Sequence, residues 1–362
     1  MVTRHVNFSA GPSTLPLPAL ERAQAEFLDY ADSGMSIIEH SHRGKVYEQV
    51  HDECLGLIRE LLAVPDNYDI LLMQGGASAQ FALIPMNLRT DARAGDYIIT
   101  GTWAKKALAE AKVVSQPRIA WDSPEGDTYT RVPKQDELDL TKDAPYVHMC
   151  SNNTIMGTQF FDYPDTGGVP LICDMSSDIM WRPTDVSKFG MIYAGAQKNM
   201  GPSGITILII RKDLIERART DIPKIFRYGE VAKANSLQNT IATFPVYMVR
   251  NVLDWVKEQG GLPAMEKHNR SKAEMLYGAI AGSDGFYKCP VSEESRSVMN
   301  PVFRTPSEDL DKKFVADAAD KGLLGLKGHR SVGGIRASMY NAMSQEGVER
   351  LVDFMHDFAK RG

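Results

Sequence analysis

The stretch Gly195-Ala196-Gln197-Lys198-Asn199-Met200-Gly201-Pro202-Ser203-Gly204 is the part of the chain around which the rest is organised. Apolar runs flank it, Met191-Ile192-Tyr193-Ala194 before it and Ile205-Thr206-Ile207-Leu208-Ile209-Ile210 after it. Both runs are short, rich in Ile and Tyr, and bounded by Gly and Pro, which predicts two buried strands. Because no helical period surrounds Lys198, we expect this lysine on a tight turn at the end of a strand.

The chemistry of Lys198 depends on whether this turn points into a pocket. A lysine in a partly desolvated pocket has a pKa below its reference of about 10.4, which frees the amine as a nucleophile. Schiff-base chemistry with pyridoxal phosphate (PLP) needs such an amine. From this stretch alone, the alternative is a structural or surface lysine in a glycine-rich loop.

The composition indicates an ordinary globular protein with two domains. The chain has 362 residues, which is more than one hydrophobic core usually organises. Apolar residues make up 43% and charged residues 24%, and the net charge of −5 argues against a nucleic-acid-binding protein. The four cysteines form no CxxC pair, which argues against a disulfide framework or a zinc site. No apolar run approaches about 18 residues and no signal-peptide core is present, so we expect the cytoplasm.

A second stretch has the pattern of a phosphate-binding turn. The apolar run at residues 68–73 is predicted to be a strand, and it continues into Gln74-Gly75-Gly76-Ala77-Ser78 at the start of a helix. A helix N-terminus presents free N–H groups and the positive end of the helix dipole, so such a turn can hold a phosphate. The alternative is a tight β–α turn in which Ser78 caps the helix.

Several predicted strands end in polar or aromatic residues. The residues that follow them are Ser78, Trp103, Thr154 and Asp174. Strands that alternate with helices predict an α/β domain with a largely parallel sheet, in which ligands bind beyond the carboxyl ends of the strands. A carboxylate such as Asp174 is costly to bury without a partner. A pyridinium nitrogen would be such a partner, although a helix N-cap or a backbone amide is the commoner one.

The alternation of predicted strands and helices changes at Gly260-Gly261, and we interpret this pair as a domain boundary. We expect a large domain over residues 16–260 and a small α+β domain over residues 261–362. Residues 1–15 are expected to pack near the small domain and the active site. The fold class is therefore predicted as α/β, with a mostly parallel sheet in the large domain and a smaller α+β domain beside it.

Four motifs together identify a family. They are Asn7-Phe8-Ser9-Ala10-Gly11-Pro12, Ser41-His42-Arg43-Gly44-Lys45, Ala194-Gly195-Ala196-Gln197-Lys198-Asn199, and Gly328-His329-Arg330-Ser331-Val332-Gly333-Gly334-Ile335-Arg336-Ala337-Ser338. The chain resembles the phosphoserine aminotransferases, a family of class V, fold-type I PLP enzymes. The resemblance runs from residue 7 to residue 341 and favours the catalytic interpretation of Lys198.

The resemblance implies a role for each site residue. Lys198 would form the Schiff base with PLP and move a proton between substrate and cofactor, while Asp174 would keep the pyridine nitrogen protonated. The cofactor would also be held by Ala77, Ser78, Trp103, Thr154 and Gln197, and by Asn239 and Thr240 of a second subunit. The substrate would be held by Ser9, His42, Arg43, His329, Arg330 and Arg336. The implied assembly is a homodimer with shared sites.

The implied reaction is the reversible transfer of an amino group from L-glutamate to 3-phosphohydroxypyruvate, which gives O-phospho-L-serine and 2-oxoglutarate in serine biosynthesis. The related substrate 4-phosphohydroxy-L-threonine would connect the enzyme to pyridoxine biosynthesis. Arg336 can bind the α-carboxylate through a bidentate pair, as guanidinium geometry favours. The pairs His42-Arg43 and His329-Arg330 are expected to converge on the phosphate.

Two positions depart from the family pattern, and two alternatives remain. Some relatives carry Gly-Arg at positions 77 and 78, so the Ala-Ser of this chain lacks one cationic contact to substrate; many relatives carry Glu at Asn153. A cysteine desulfurase on the same scaffold would need a reactive cysteine, for which Cys289 is the nearest candidate by position. A non-catalytic protein of this fold is the other alternative, and the intact set of Lys198, Asp174 and Arg336 argues against it.

Overall fold

The computed structural model describes residues 4–91, 93–126 and 128–361. Within these ranges there are ten α-helices: α1 (Leu17–Ala25), α2 (Lys45–Leu61), α3 (Gly76–Leu88), α4 (Thr102–Val114), α5 (Lys212–Glu216), α6 (Tyr228–Lys233), α7 (Thr243–Glu258), α8 (Gly261–Ala281), α9 (Glu308–Asp320) and α10 (Gln345–Ala359). The same ranges contain thirteen strands: β1 (Val6–Asn7), β2 (Tyr68–Met73), β3 (Asp96–Ile99), β4 (Arg118–Asp122), β5 (Val147–Cys150), β6 (Asn152–Asn153), β7 (Thr158–Gln159), β8 (Leu171–Asp174), β9 (Met191–Gly195), β10 (Thr206–Arg211), β11 (Val302–Phe303), β12 (Leu323–Leu324) and β13 (Ile335–Arg336).

Seven strands form the central sheet, in the order β2-β10-β9-β8-β5-β3-β4. Strand β10 is antiparallel to both of its neighbours, and the other adjacent pairs are parallel. The reversal at β10 follows from the short connection after β9, since a parallel return needs a crossover of about a dozen residues or more. The sheet confirms the predicted α/β fold with a mostly parallel sheet.

Helices cover the sheet, which explains the apolar composition of its strands. Every residue of β5, β8 and β9 is buried, as expected for strands enclosed on both faces. Helices α3 and α4 pack on each other and on the sheet, while α1 and α2 pack on α7. Among the described residues, no helix combines the length and apolar character needed to cross a membrane.

A second hydrophobic cluster lies in the C-terminal part of the chain. It contains the aromatic rings of Phe303, Phe314 and Phe358, and Phe8 from the N-terminal segment belongs to it as well. The first hydrophobic cluster surrounds the central sheet, and helix α8 joins the two, because its first turns are buried in the cluster around the sheet and its later turns in the second cluster. The division at residue 260 and the placement of residues 1–15 stay predictions, and residues 1–3 lie outside the described part.

A buried lysine holds the segment that follows β13. Lys272 on α8 is fully buried, and its Nζ donates to the backbone oxygens of Met339 at 3.3 Å, Tyr340 at 2.7 Å and Met343 at 2.9 Å. Without this ammonium group the Met339 carbonyl would be buried without a donor, which is costly, whereas the Tyr340 carbonyl also accepts from the Met343 amide and the Met343 carbonyl lies 3.0 Å from His268 Nε2. Lys272 therefore fixes residues 339–343 against α8.

Removal of this ammonium group should destabilise the protein. We expect Lys272→Met, which keeps much of the aliphatic stem, to lower the free energy of unfolding by about 3 kcal/mol. Urea titration at a fixed protein concentration measures the change. Lys267→Met, at an exposed lysine of the same helix, is the control and should change stability by less than about 0.5 kcal/mol. Equal stability of Lys272→Met and the wild type would show that these bonds contribute nothing.

Candidate active site

A cavity of about 330 Å³ lies beyond the carboxyl ends of the parallel strands. Its wall comes from the turns that follow β2, β3, β5, β8 and β9, together with the 328–336 loop and β13. Nine of the residues predicted from sequence line it: Ala77, Ser78, Trp103, Thr154, Asp174, Gln197, Lys198, His329 and Arg336. The cavity has the position that ligands take in open parallel sheets.

Lys198 lies on the turn after β9 and is half-buried. Burial lowers the pKa of its amine, and the negative charge of Asp174 opposes this shift. Its Nζ lies 5.4 Å from the centroid of the Trp103 ring. Gly11 has φ +146°, and a Cβ there would lie 3.1 Å from Lys198 Cγ, so this close approach favours glycine.

The N-terminal segment and the C-terminal part both hold the Lys198 turn. The Ser13 amide donates to the Gln197 carbonyl at 3.0 Å. The next residue, Asn199, accepts a hydrogen bond from the Asn341 amide at 2.9 Å and donates to the Ile179 carbonyl at 2.6 Å. The turn is thus tied to three separate segments of the chain.

Asp174 ends β8 and is 5% exposed. Its Oδ1 accepts the Ser176 amide at 2.9 Å and the Ser176 hydroxyl at 2.6 Å. In the part of the chain that the structure describes, no hydrogen bond goes to Oδ2, which leaves that oxygen for a ligand. Burial raises the pKa of Asp174, and the bond from the Ser176 hydroxyl opposes the shift.

Helix α3 directs its N-terminus at the cavity. Gly75 has φ +97°, the left-handed conformation that turns the chain from β2 into the helix. Among the described residues, no backbone bond is made by the amides of Gly76, Ala77 and Ser78, and all three residues line the cavity. No side chain caps this helix, so Ser78 is not the cap that the alternative interpretation required. Free N–H groups and the helix dipole suit this end for an anion.

Thr154 connects Trp103 to Arg336. Its hydroxyl accepts from Trp103 Nε1 at 3.1 Å, and its carbonyl accepts from Arg336 Nη1 at 2.9 Å. Arg336 Nε is buried without a partner in the described chain, and burial lowers the pKa of this guanidinium. Asn153, the position that departs from many relatives, donates to the Thr100 carbonyl at 2.5 Å and so holds the turn before α4.

Six predicted site residues lie outside the cavity wall: Ser9, His42, Arg43, Arg330, Asn239 and Thr240. Arg330 is exposed beside His329, and Ser9 precedes the cavity residue Ala10. Within this one chain, only His329 of the two predicted His-Arg pairs reaches the wall. Burial lowers the pKa of His329, and the positive charges of Arg336, Arg330 and Lys106 act in the same direction.

Some cavity residues were missed by the sequence-based prediction: Ala10, Gly11, Gly76, Phe81, Cys150, Asn152, Ile155, Ser176 and Ser177. Ser176 had a usable signal, because an Asp side chain often accepts the amide two residues later. The cysteine candidate of the desulfurase alternative, Cys289, does not line the cavity. Burial raises the pKa of the Cys289 thiol, which is opposite to what a nucleophilic thiol needs.

Comparison with known proteins identifies the family. The family Aminotransferase class-V matches residues 5–351. The phosphoserine aminotransferase of Lysinibacillus sphaericus (strain C3-41) is 50% identical over 361 residues, which cover 100% of this chain and 99% of that protein. The structure of phosphoserine aminotransferase from Bacillus circulans subsp. alkalophilus is 52% identical, has a TM-score of 0.97 and covers 99% of both chains. The PLP-bound phosphoserine aminotransferase of Trichomonas vaginalis is 42% identical, has a TM-score of 0.93 and covers 98% of this chain and all of that one.

A second buried aspartate behind the cavity should make stability depend on pH. Asp178 is 3% exposed, accepts hydrogen bonds from Ser151 Oγ and Gln159 Nε2, and has its pKa raised to about 7 by burial. The folded protein then keeps a proton that the unfolded chain, with a pKa of about 3.9, releases. This group's contribution to stability is therefore lost as the pH rises from about 4 to about 7.

We expect Asp178→Asn, which cannot titrate, to gain stability relative to the wild type as the pH rises. The difference in melting temperature between variant and wild type should be more positive at about pH 8 than at about pH 5. Asp162→Asn, at an exposed aspartate, is the control. A difference that is the same at both pH values would contradict the raised pKa.

Proposed function

Because the chain belongs to the class-V aminotransferase family, we propose that it is a PLP-dependent phosphoserine aminotransferase. It transfers an amino group reversibly from L-glutamate to 3-phosphohydroxypyruvate, and the products are O-phospho-L-serine and 2-oxoglutarate. The observation that carries this proposal is the meeting of Lys198, Asp174 and Arg336 in one cavity. These side chains supply an amine, a carboxylate and a guanidinium to a single ligand site.

The residues present fit PLP. The free amides at the start of α3 suit its phosphate, the open oxygen of Asp174 suits its pyridine nitrogen, and the Trp103 ring suits its flat face. Gln197 and Thr154 complete the wall beside them. When bound, PLP supplies an electron-accepting ring that stabilises negative charge at the substrate Cα.

Lys198 is the proposed acid and base. Burial lowers the pKa of its amine, which makes the neutral form more accessible than in an exposed lysine, and this amine would take a proton from the substrate Cα and return one. Asp174 would hold the ring nitrogen of bound PLP in its protonated form, and the positive charge of that nitrogen would favour the ionised carboxylate against the effect of burial. Lys198 would therefore act at the substrate Cα, and Asp174 at the ring nitrogen of the cofactor.

Arg336 is the proposed carboxylate-binding residue. Its Nη1 is occupied by the Thr154 carbonyl, while no partner in the described chain occupies the edge formed by Nε and Nη2. This edge has the geometry for two parallel bonds to the α-carboxylate. His329 and Arg330 precede it in the 328–336 loop and are proposed to bind the phosphate, or the side-chain carboxylate of glutamate. Ser9 is proposed to lie near the bound substrate.

We propose that a homodimer completes the site. His42, Arg43, Asn239 and Thr240 lie outside the cavity of their own chain. Helix α2, which begins two residues after Arg43, lies near the segment that precedes Asn239, since His51 Nε2 lies 2.9 Å from the Asn235 carbonyl. Exposed apolar residues accompany them at Phe27, Leu28, Met35 and Ile38. An apolar surface near site residues that do not line the cavity of their own chain suits contact with a second copy of the chain.

Three further statements belong to this proposal. The chain divides into a large domain over residues 16–260 and a small domain over residues 261–362.

The same anion-binding residues accept 4-phosphohydroxy-L-threonine, which adds a role in pyridoxine biosynthesis. The enzyme acts in the cytoplasm, which is supported by four cysteines that are all free thiols.

A spectral half-reaction tests the function. The protein loaded with PLP is mixed in turn with phosphoserine, glutamate and alanine, without a keto acid. We expect phosphoserine and glutamate, but not alanine, to abolish the visible absorbance of the bound cofactor. Lys198→Ala should fold normally and show no conversion with any of them. Equal conversion by alanine would refute the anion site, and a wild-type protein that binds no PLP would refute the cofactor.

Hybrid dimers test the shared site. Co-expression of Lys198→Ala with Arg43→Ala gives hybrid dimers that contain one chain of each variant. In such a hybrid, the site of the Arg43→Ala chain has native Lys198 from its own chain and native Arg43 from the partner chain. We expect about a quarter of wild-type activity from a random mixture, although each variant alone is strongly impaired. The control pairs Lys198→Ala with Arg336→Ala, both from the same chain's cavity, and should recover nothing. No recovery in the first mixture would place Arg43 outside the neighbouring site.

A further inference from the structure

We propose that Lys106 is a further substrate-binding residue, which places a positive charge at the phosphate end of the site. This inference rests on the proposed function and deepens it, because it names a residue that sets the preference for a phosphorylated substrate. Lys106 belongs to none of the motifs that identify the family, and its position in the fold is what points to it.

Helix α4 places Lys106 beside the cavity residue Trp103. It lies three residues after Trp103, and residues at this spacing share one face of a helix. Lys106 Nζ lies 4.9 Å from the centroid of the Trp103 ring, within the range of a cation–π contact. Since the Trp103 ring lines the cavity, this contact holds the ammonium group beside the site.

Lys106 also faces the other substrate cations. Its charge contributes to the lowered pKa of His329, together with the charges of Arg336 and Arg330. In the described part of the chain, no carboxylate lies within 4.0 Å of Lys106 Nζ. Lys106 is thus near enough to His329 for its charge to act there, and no ion pair within the described residues neutralises it. Such like charges repel, and a dianionic phosphate bound among them would relieve the repulsion.

The neighbouring helix offers no cation of its own. The first turn of α3 contains Gly76, Ala77 and Ser78, and α3 packs directly against α4. Its amides are already assigned to the cofactor phosphate. A charge for the substrate phosphate on this side of the cavity must come from α4, where Lys106 is next to Trp103.

Lys105 provides a matched control. It precedes Lys106 on the same exposed part of α4, but its Nζ lies 5.1 Å from the centroid of the Tyr129 ring, a residue outside the Lys198 cavity. Replacement of either lysine by glutamine removes one charge from the same helix. Only the replacement at position 106 should affect a bound phosphate at short range.

The experiment compares PLP-loaded wild type, Lys106→Gln, Lys106→Arg and Lys105→Gln. Calorimetric titration with inorganic phosphate measures anion affinity, and the rate of the spectral half-reaction is measured against phosphoserine and glutamate concentration. We expect Lys106→Gln to weaken phosphate and apparent phosphoserine binding about tenfold, with a smaller effect on glutamate and an unchanged limiting rate. Lys106→Arg should restore most of the affinity, and Lys105→Gln should match the wild type.

Two results would overturn the inference. One is phosphate and phosphoserine affinity in Lys106→Gln equal to that of the wild type; the other is an equal loss in Lys105→Gln, which would indicate only a general effect of net charge. The visible absorbance of each loaded variant shows that the site is intact. If the wild type fails to react with phosphoserine, the proposed function falls, while the phosphate titration still decides whether Lys106 belongs to an anion site.

Discussion

The short connection between β9 and β10 is the constraint on which the site depends. It is too short for a crossover, so β10 must return antiparallel beside β9, and the turn stays at the carboxyl edge of the sheet. Lys198 lies on that turn and therefore faces the ends of the parallel strands. Asp174 at the end of β8 and Trp103 after β3 reach the same cavity because their strands are parallel to β9. One topological restriction thus brings together residues that are far apart in sequence.

Polar contacts give this arrangement its rigidity. Thr154 binds Trp103 through its side chain and Arg336 through its backbone, so residues proposed for cofactor and substrate share one support. Asn199 binds the Asn341 amide, and Lys272 holds the carbonyls on both sides of that residue. Buried groups of this kind are costly to leave unpaired, which favours a single geometry. A substitution at Arg336 would consequently disturb the Trp103 side of the cavity as well.

Much of this could be predicted from sequence, and the misses have physical causes. The buried strands and the Lys198 turn are recorded in local apolar runs and in the Gly and Pro residues that bound them. Strand β4 was missed because it is an edge strand with three exposed residues, so its apolar signal is weak. Asn152 and Ser177 are joined by a hydrogen bond in the cavity wall because the tertiary fold brings them together, and no local sequence pattern records this contact. His42 and Asn239 do not line the cavity of their own chain, and a single sequence cannot show where a second copy would place them.

The bond between Asn199 and Asn341 also restricts how small molecules reach and leave the cavity. A hinge motion could separate the C-terminal part from the sheet only by breaking this bond. The buried amide groups of Asn199, Asn341 and Asn269 would then be exposed or left without hydrogen-bond partners. Residues 329–334, by contrast, are all exposed or half-buried and include Gly333 and Gly334 at positive φ. We therefore expect substrate to enter and product to leave through local movement of this loop. The two hydrophobic clusters are expected to keep their mutual orientation throughout the catalytic cycle.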